Sequence, residues 1–438
     1  MNKLFHSATV ILFSVLILCI CSIGAHVPDH ACAASTASSA KTEKKKQDPS
    51  GYKRGEDGIW HLKEKSEKKN GIFSSMIEEI EKMVLPGRKK ETTAVCMFTG
   101  DLMCLKGQQY DAGRSGSYKF FPAFMYVEPI FKDADLACGN LETLLSESNP
   151  LTKNRVEENG QPQCNGPVEY LDALKSAGFN VLVTANNHTC DWGAKGIKET
   201  KKHLDEYGFA NVGTHYNEKT PEKAGERFAI FDVKGINIAI LSYTHIINQR
   251  GKMSASEMKT MVHLFDRDTV ERDISDAKEA GAEFVAVYLH LGTENTEEVT
   301  RTQIEDMKFT AEAGADLILG SHPHCLQKCI YIQTSDKRNV LCMYSMGNFV
   351  SSMARDINND TIILRVEITK TEDEKGVKVD MTDASYIPCR VTAKDKYSFV
   401  VVPTSFELNG GFSSKTLKES EKRIGKIMGN VIQKYRSG

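Results

Sequence analysis

The sequence lacks an excess of either charge. Its 56 Lys and Arg residues are matched by 58 Asp and Glu, so the formal net charge is -2 over 438 residues. A nucleic-acid-binding protein usually carries a basic patch or a basic domain. The balance therefore gives no indication of a nucleic-acid partner, and the length fits one large domain or two ordinary ones with flanking segments.

The cysteines lack the partners and spacing of a zinc knuckle. The chain has 12 Cys, and the pair Cys325 and Cys329 is interpreted as helix-spaced packing or a loop pair. An exported protein can form disulfides. However, Cys96, Cys138 and Cys342 lie inside apolar strand patterns, where Cys behaves as a small hydrophobic residue. No disulfide pairing is predicted.

Residues 1–33 are predicted to be a signal peptide or an N-terminal membrane anchor. A basic start precedes residues 8–25, which are almost wholly apolar. That run is at the lower edge of a membrane-spanning length, about 20 residues, and is longer than most signal-peptide cores. Cleavage could follow Ala25 or Ala33. We expect the remaining chain to lie at the extracellular face of the cell membrane, or to be secreted if the segment is cleaved.

Three further segments follow from composition and periodicity. Residues 34–92 are rich in Lys, Ser and Glu and are predicted to form a disordered tether with a short helix at 72–85. Residues 93–405 form the predicted folded domain, in which strands and helices alternate. This alternation, with strand-rich stretches in the middle and at the end, predicts an α/β fold with two sheets. Residues 406–438 are predicted to contain a C-terminal amphipathic helix at 417–435.

Five short apolar runs of the folded domain each lead into polar side chains that can bind metals. In open α/β sheets, ligands bind beyond the carboxyl ends of the strands, so these ends predict one convergent site. Asp, Glu, Asn and His supply oxygen and imidazole donors that suit Zn, Mn or Fe. The five ends are Thr99-Gly100-Asp101, Gly139-Asn140-Leu141-Glu142, Ala185-Asn186-Asn187-His188, Leu289-His290-Leu291-Gly292 and Gly320-Ser321-His322-Pro323-His324.

Each candidate also has an ordinary structural interpretation, such as a turn cap for Asp101 or a loop cap for Glu142, and the conjunction of five ends favours a site. Because neighbouring side chains point apart in extended backbone, one of Asn187 and His188 is predicted to bind metal and the other to face substrate. The donors exceed the four or so that one ion needs. Two ions about 3.5–4 Å apart, as used to cleave phosphate esters, match them better.

The order of these motifs resembles the CapA family, the poly-gamma-glutamate capsule synthesis proteins that are also called PgsA. The resemblance covers roughly residues 93–355. It implies a fold similar to calcineurin-like metallophosphoesterases, which is a four-layer α/β/β/α sandwich with a dinuclear metal centre. The motifs are Gly100-Asp101, Gly139-Asn140-Leu141-Glu142, Ala185-Asn186-Asn187-His188-Thr189-x-Asp191-x-Gly193, His290-x-Gly292-x-Glu294, Ser321-His322-Pro323-His324 and Tyr344-Ser345-Met346-Gly347-Asn348-Phe349.

The resemblance also implies roles for individual residues. Glu142 takes the place of the bridging carboxylate, and His188 that of the histidine that protonates the leaving group. Met103 stands where phosphoesterases usually carry a second ligand, so one ion would lose a donor. The implied cofactor is one or two divalent transition-metal ions: Mn, Zn or Fe. The implied metal ligands are Asp101, Glu142, Asn187, His290, His322 and His324.

Three functional hypotheses follow. The first is an exported or membrane-tethered component of capsule polymer synthesis or export with a metal-dependent hydrolase or transferase centre. Its expected partners are an anionic polymer or its precursor and membrane-bound capsule synthesis proteins. The second is a secreted metal-dependent phosphoesterase. The third is a non-catalytic assembly protein with a vestigial metal site. Metal content and activity on a generic phosphoester separate them.

Overall fold

The alternating apolar segments assemble into two β-sheets in the computed structural model, which describes residues 52–62, 89–154, 162–216, 227–405 and 407–435. The predicted signal peptide or anchor and the predicted helix at 72–85 lie outside the described residues. Among the helices that are described, none has both the length and the apolar character needed to cross a membrane.

The first sheet has eight strands in the order β1-β2-β7-β8-β9-β10-β12-β11. Its inner strands β8, β9, β10 and β12 are parallel, and such strands, covered on both faces, read as nearly continuous apolar runs. The strands are β1 Tyr52–Arg54, β2 Trp60–Leu62, β7 Phe228–Val233, β8 Ile236–Thr244, β9 Phe284–His290, β10 Leu317–Ser321, β11 Cys329–Gln333 and β12 Asn339–Met343.

The second sheet has nine strands, with the order β16-β15-β14-β3-β4-β5-β6, β13 on β3 and β17 on β15. Strands β3 to β6 are parallel, and β14, β15 and β16 extend the sheet in antiparallel fashion. The strands are β3 Lys90–Leu102, β4 Leu136–Leu141, β5 Val181–Val183, β6 Ala210–Val212, β13 Asn348–Val350, β14 Asp360–Asp373, β15 Gly376–Lys394, β16 Tyr397–Pro403 and β17 Gln433–Lys434.

Helices cover the outer face of each sheet. Those of residues 106–207 lie on the second sheet, and α6 and α7 lie on the first. Their boundaries follow common capping rules: α6 has Asp266 and α7 has Thr300 as an N-cap that accepts a backbone N–H. The described α-helices are α1 Lys106–Ala112, α2 Glu128–Phe131, α3 Tyr170–Ala177, α4 Gly193–Tyr207, α5 Ala255–Met261, α6 Arg267–Glu279, α7 Arg301–Glu312 and α8 Lys415–Met428.

Strand alternation divides the apolar side chains among three main cores. On β3, Cys96 and Phe98 belong to the core between the sheets, whereas Met97 faces the helices of the second sheet. On β9, Tyr288 lies between the sheets and Val287 packs under α6 and α7. Helix, sheet, sheet and helix thus form the four layers of the α/β/β/α sandwich, which confirms the predicted fold class.

The predicted tether is wrong for residues 52–62. Strands β1 and β2 form a hairpin that pairs with β7, and Tyr52 is buried. The rings of Tyr52 and Trp60 lie 5.6 and 6.3 Å from that of Phe231. The hairpin carries few large apolar side chains, and its aromatic rings become buried only once the sheet exists, so local composition gave no signal for it.

The predicted end of the C-terminal helix is also wrong. The prediction extended to Tyr435, but α8 ends at Met428 because Gly429 adopts a positive φ of 58°. The chain then adds β17 to β15. Ile424, Met428 and Ile432 join the core between the sheets, so this segment belongs to the folded domain.

Replacing Gly100 with alanine is expected to destabilise the fold by about 3 kcal/mol, the upper end of the usual cost of overpacking, because the opposing group is rigid backbone. A Cβ atom there would lie 1.9 Å from the carbonyl oxygen of Gly347. Urea unfolding measures the loss. Gly251→Ala is the matched control, since a Cβ on Gly251 meets nothing within 4 Å. Equal stability of the two variants would contradict this account of the close approach.

Candidate metal centre

The predicted site residues lie at the carboxyl ends of strands from both sheets. Asp101 ends β3 with Leu102, Glu142 follows β4, and His290 ends β9. Asn187 and His188 follow β5 by four and five residues, and His322 and His324 follow β10 by one and three residues. All seven side chains are buried. His322 and His324 have φ values of 96° and 58°, a region that non-glycine residues rarely adopt.

Five of the seven residues surround Glu142. Its Oε1 lies 3.8 Å from Nε2 of His290 and 3.7 Å from Nε2 of His324. The donor atoms of Glu142, His322 and His324 lie within 4.8 Å of one another, and so do those of Asp101, Glu142 and His290. Asn187 Oδ1 lies 2.9 Å from His290 Nε2. The structure therefore brings the six predicted metal ligands together.

The donor atoms have the character of a site for a cation. Both carboxylate oxygens of Glu142 and Nδ1 of His322 are buried with no hydrogen-bond partner among the described residues, which is costly for a polar group without a ligand. Burial, and then the nearby Asp101 carboxylate, raise the pKa of Glu142 well above its usual value. Burial lowers the pKa of His322 to about 3, so its imidazole is neutral and can donate a lone pair. The residues present therefore fit a divalent metal ion.

Neighbouring polar side chains orient these ligands, as is usual in metal sites. Asn140 Nδ2 donates to Asp101 Oδ1 at 2.8 Å. His290 Nδ1 lies 2.8 Å from Ser321 Oγ, and His324 Nδ1 lies 2.9 Å from Asn348 Oδ1. With Nδ1 engaged, both Nε2 atoms face Glu142. The sequence contained Asn348 in the motif Tyr344–Phe349 but gave no role for it, because the motif lies far along the chain from the other ends.

His188 stands beside this cluster with contacts of its own. Its Nδ1 lies 2.6 Å from Asp191 Oδ2 and its Nε2 lies 3.7 Å from Cys164 Sγ. Burial alone disfavours the imidazolium, but the Cys164 thiol and the Asp191 carboxylate outweigh it and raise the pKa of His188 well above its usual value. The structure therefore separates His188 from the six candidate ligands. This arrangement agrees with the alternative in which Asn187, and not His188, binds metal.

Adding Mn²⁺ or Zn²⁺ to the chelator-treated full chain is expected to raise its melting temperature. A ligand that binds only the folded state adds about 2.7 kcal/mol at 100 times its Kd, and here it would give Glu142 and His322 the partners they lack. His322→Asn should lose most of this gain. His203→Asn is the matched control, since His203 lies on α4 and contacts Glu147 and Glu206. Equal gains in both variants would contradict a site at His322.

A family model described as "Bacterial capsule synthesis protein PGA_cap" matches residues 95–353. Two relatives are similar over much of the chain. "PGA biosynthesis protein CapA" of Bacillus subtilis (strain 168) is 29% identical over 299 residues, which is 67% of this chain and 73% of the relative. "Capsule biosynthesis protein CapA" of Bacillus anthracis is 30% identical over 292 residues, which is 65% of this chain and 66% of the relative, a little under two thirds of its length.

A solved structure, that of the calcineurin-like phosphoesterase YfkN from Bacillus subtilis, is also similar. The likeness covers 77% of this chain and 98% of that chain, at 11% identity and a TM-score of 0.39. A TM-score below 0.5 supports no conclusion about chemistry. The fold and the site therefore rest on the sheets, cores and contacts of the chain itself.

Proposed function

Because the chain belongs to the family of bacterial capsule synthesis proteins described as PGA_cap, we propose that it acts in the synthesis or export of a capsule polymer, poly-gamma-glutamate or a related anionic polymer. The names of the two Bacillus relatives, which refer to PGA biosynthesis and capsule biosynthesis, support this class of polymer. The observation that carries a chemical role is the buried convergence of five donor side chains on Glu142.

In this proposal the donor cluster holds one or two divalent ions of Mn, Zn or Fe. Oxygen and imidazole donors without sulfur suit these metals. A bound ion would polarise a phosphoryl or acyl oxygen and supply hydroxide. The residues that would hold it are Asp101, Glu142, Asn187, His290, His322 and His324.

The chain's own residues would do the remaining work. His188 is held at Nδ1 by Asp191, so its Nε2 is directed away from that carboxylate and can give a proton to a leaving group. Asn140, Ser321 and Asn348 keep their neighbours in the tautomers and orientations that present donor atoms to Glu142. Burial of the site excludes bulk water and strengthens each of these interactions.

The number of ions in this proposal depends on Met103. A side chain two residues past Asp101 would be the natural place for a further ligand, and a thioether there is a soft donor that suits Mn poorly. The backbone of Met103 is engaged instead: its N–H donates to Val350, and its carbonyl accepts from Gln108 and Tyr170. The ion on the Asp101 side is therefore expected to be the weaker of the two.

The proposed location is the outer face of the cell membrane, or the medium if residues 1–33 are removed. The apolar run at 8–25 supports export. Membrane-bound proteins of polymer synthesis are the proposed partners. A secreted phosphoesterase is the alternative within the same site chemistry, since two-metal centres serve phosphate esters. Turnover of a simple phosphodiester with no effect on capsule would favour that alternative.

The test is a deletion of the gene in its host, followed by measurement of the amount and chain length of the capsule polymer. We expect polymer at the cell surface to be lost, and the parent gene to restore it. Restoration by a His188→Ala variant would mean that the protein serves assembly without catalysis. Unchanged polymer in the deletion strain would contradict the proposed function.

A further inference from the structure

Three buried side chains lie in contact beside the candidate metal centre, and the proposed metal chemistry uses His188 and Asp191 but gives no role to Cys164. Cys164 Sγ lies 3.7 Å from His188 Nε2, and His188 Nδ1 lies 2.6 Å from Asp191 Oδ2. Their exposed fractions are 0%, 3% and 0%. We infer that Cys164 is a nucleophile for acyl transfer from γ-glutamyl amides, with His188 as its base and Asp191 as the residue that orients the imidazole.

Cys164 contacts His188, and His188 contacts Asp191, in the same sequence as the nucleophile, base and orienting carboxylate of a catalytic triad. Asp191 engages Nδ1 of His188, which leaves Nε2 facing Sγ of Cys164. Asp191 Oδ2 also accepts the backbone N–H of Cys164 at 2.6 Å. One carboxylate oxygen therefore fixes both the imidazole and the backbone of the nucleophile.

The local fold holds this arrangement in place. Asn186 Oδ1 accepts the backbone N–H of His188, and Asp191 lies two residues before the start of α4. Next to Cys164, Asn165 is tied by hydrogen bonds to Ser146, Thr152 and Gln109. The backbone of Cys164 and of the residue that follows it is therefore held by hydrogen bonds.

Unpartnered amide groups adjoin the triad. Gln163 directly precedes Cys164, is 1% exposed, and both polar atoms of its side chain lack a hydrogen-bond partner in the described part of the chain. Nδ2 of Asn187, next to His188, is buried and unpartnered in the same way. Amide N–H groups beside a nucleophile are the usual donors to the oxyanion that forms during acyl transfer.

The other cysteines of the described chain have different neighbours. Cys190 and Cys342 contact the sulfur atoms of Met258 and Met307. Cys325 and Cys389 contact backbone carbonyls. Among the cysteines of the described residues, Cys164 is the one seen to contact a histidine. That histidine is His188, the proton donor of the proposed function.

The proposed reaction is balanced by these groups and water. The Cys164 proton passes to His188 Nε2 as the Sγ–C bond forms on the amide carbonyl. The tetrahedral adduct then collapses, the C–N bond breaks, and the departing amine takes the proton from His188. Water or an acceptor amine attacks the thioester and releases the acyl group and the free thiol. No oxidant or reductant is needed.

The substrate class rests on the proposed function, because poly-gamma-glutamate is joined by γ-glutamyl amide bonds. A triad of this kind would cut such bonds or move a γ-glutamyl group to an amine. It would thereby set the length of the polymer or attach its end to an acceptor. The carbonyl chemistry is distinct from phosphoester cleavage, so the two activities can be separated by variants.

The experiment uses the full chain with γ-glutamyl-p-nitroanilide and an oligomer of γ-linked glutamate as probes. Acid quenching and mass spectrometry of the peptide that contains Cys164 should show one γ-glutamyl group on its thiol, removable by hydroxylamine. Cys164→Ala should lose the adduct and reduce p-nitroaniline release by at least about 1,000-fold, the cost of losing a triad nucleophile. Cys389→Ala is the matched control, because Cys389 is buried within the second sheet.

Unfolding curves of both variants exclude a trivial loss of structure, and Cys164→Ser gives a second, nearly isosteric variant. Three outcomes would overturn the inference: release at the parent rate by folded Cys164→Ala, an adduct on another residue, or no adduct and no release from the parent with either probe. A fourth outcome would also overturn the inference: zinc binding by the parent that is lost in Cys164→Ala. Cys164, His188 and Asp191 would then form a metal site. Loss of metal binding in Glu142→Gln, measured separately, decides the proposed metal centre independently of Cys164.

Discussion

Glu142→Gln is expected to empty the candidate metal centre while the fold stays intact. Glu142 is the residue that faces both His290 and His324, and a neutral amide cannot supply the negative charge that a bridging ligand gives. Loss of residues that merely orient a ligand costs 10–100-fold in metal affinity. Removing a ligand should therefore lower it by at least about 100-fold. Metal content after dialysis against Mn²⁺ or Zn²⁺ measures the change.

The stability of the metal-free variant provides a second measurement. In the metal-free protein, burial and Asp101 both disfavour the ionised form of Glu142 and raise its pKa. Glutamine has nearly the same shape and carries no charge, so the metal-free variant should be at least as stable as the metal-free parent. Glu147→Gln is the matched control, since Glu147 lies on the same loop and is exposed. Full metal content in Glu142→Gln would contradict the assignment.

His188→Ala is expected to reduce turnover by about 100- to 10,000-fold, which is the usual contribution of a general acid or base. The bound metal should remain, because Nδ1 of His188 is engaged by Asp191 and Nε2 faces Cys164. Initial rates on a phosphodiester and on a γ-glutamyl amide, together with metal analysis, measure both properties. His203→Ala is the control for removal of a buried histidine.

The opposite pattern would be informative. Loss of metal in His188→Ala would mean that His188 is a ligand rather than a proton donor. Asp191→Asn refines the assignment: it keeps the size of the side chain but replaces the acceptor that orients the imidazole. The Asp191→Asn variant should have a lower turnover rate and a shifted pH–rate profile, and its metal content should be unchanged. A purely structural role for Asp191 would leave the profile in place.

The strand ends could be predicted from sequence because two local patterns coincide there. An apolar run of a few residues predicts a strand, and the polar residues that follow it must lie at the edge of the sheet. That reasoning placed Asp101, Glu142, His290 and His324 correctly at the ends of β3, β4, β9 and β10. It also predicted the alternation of helices and strands, because amphipathic helices and buried strands have distinct periods.

Contacts between distant segments could not be predicted in the same way. The pairing of Cys164 with His188 joins residues 24 positions apart, and no periodicity links them. Asn348 reaches His324 from β13, which lies beside β3 only after the sheet has formed. The hairpin of β1 and β2 is a further example, because its aromatic rings are buried by β7 rather than by their own neighbours in sequence.

The most direct test of the central claim is the metal content of the purified full chain, measured by elemental analysis after incubation with Mn²⁺, Zn²⁺ or Fe²⁺ and removal of free ions. We expect one or two ions per chain, lost together in Glu142→Gln and kept in Glu147→Gln. A chain that retains no ion from any of the three metals, and gains no thermal stability from them, would contradict it.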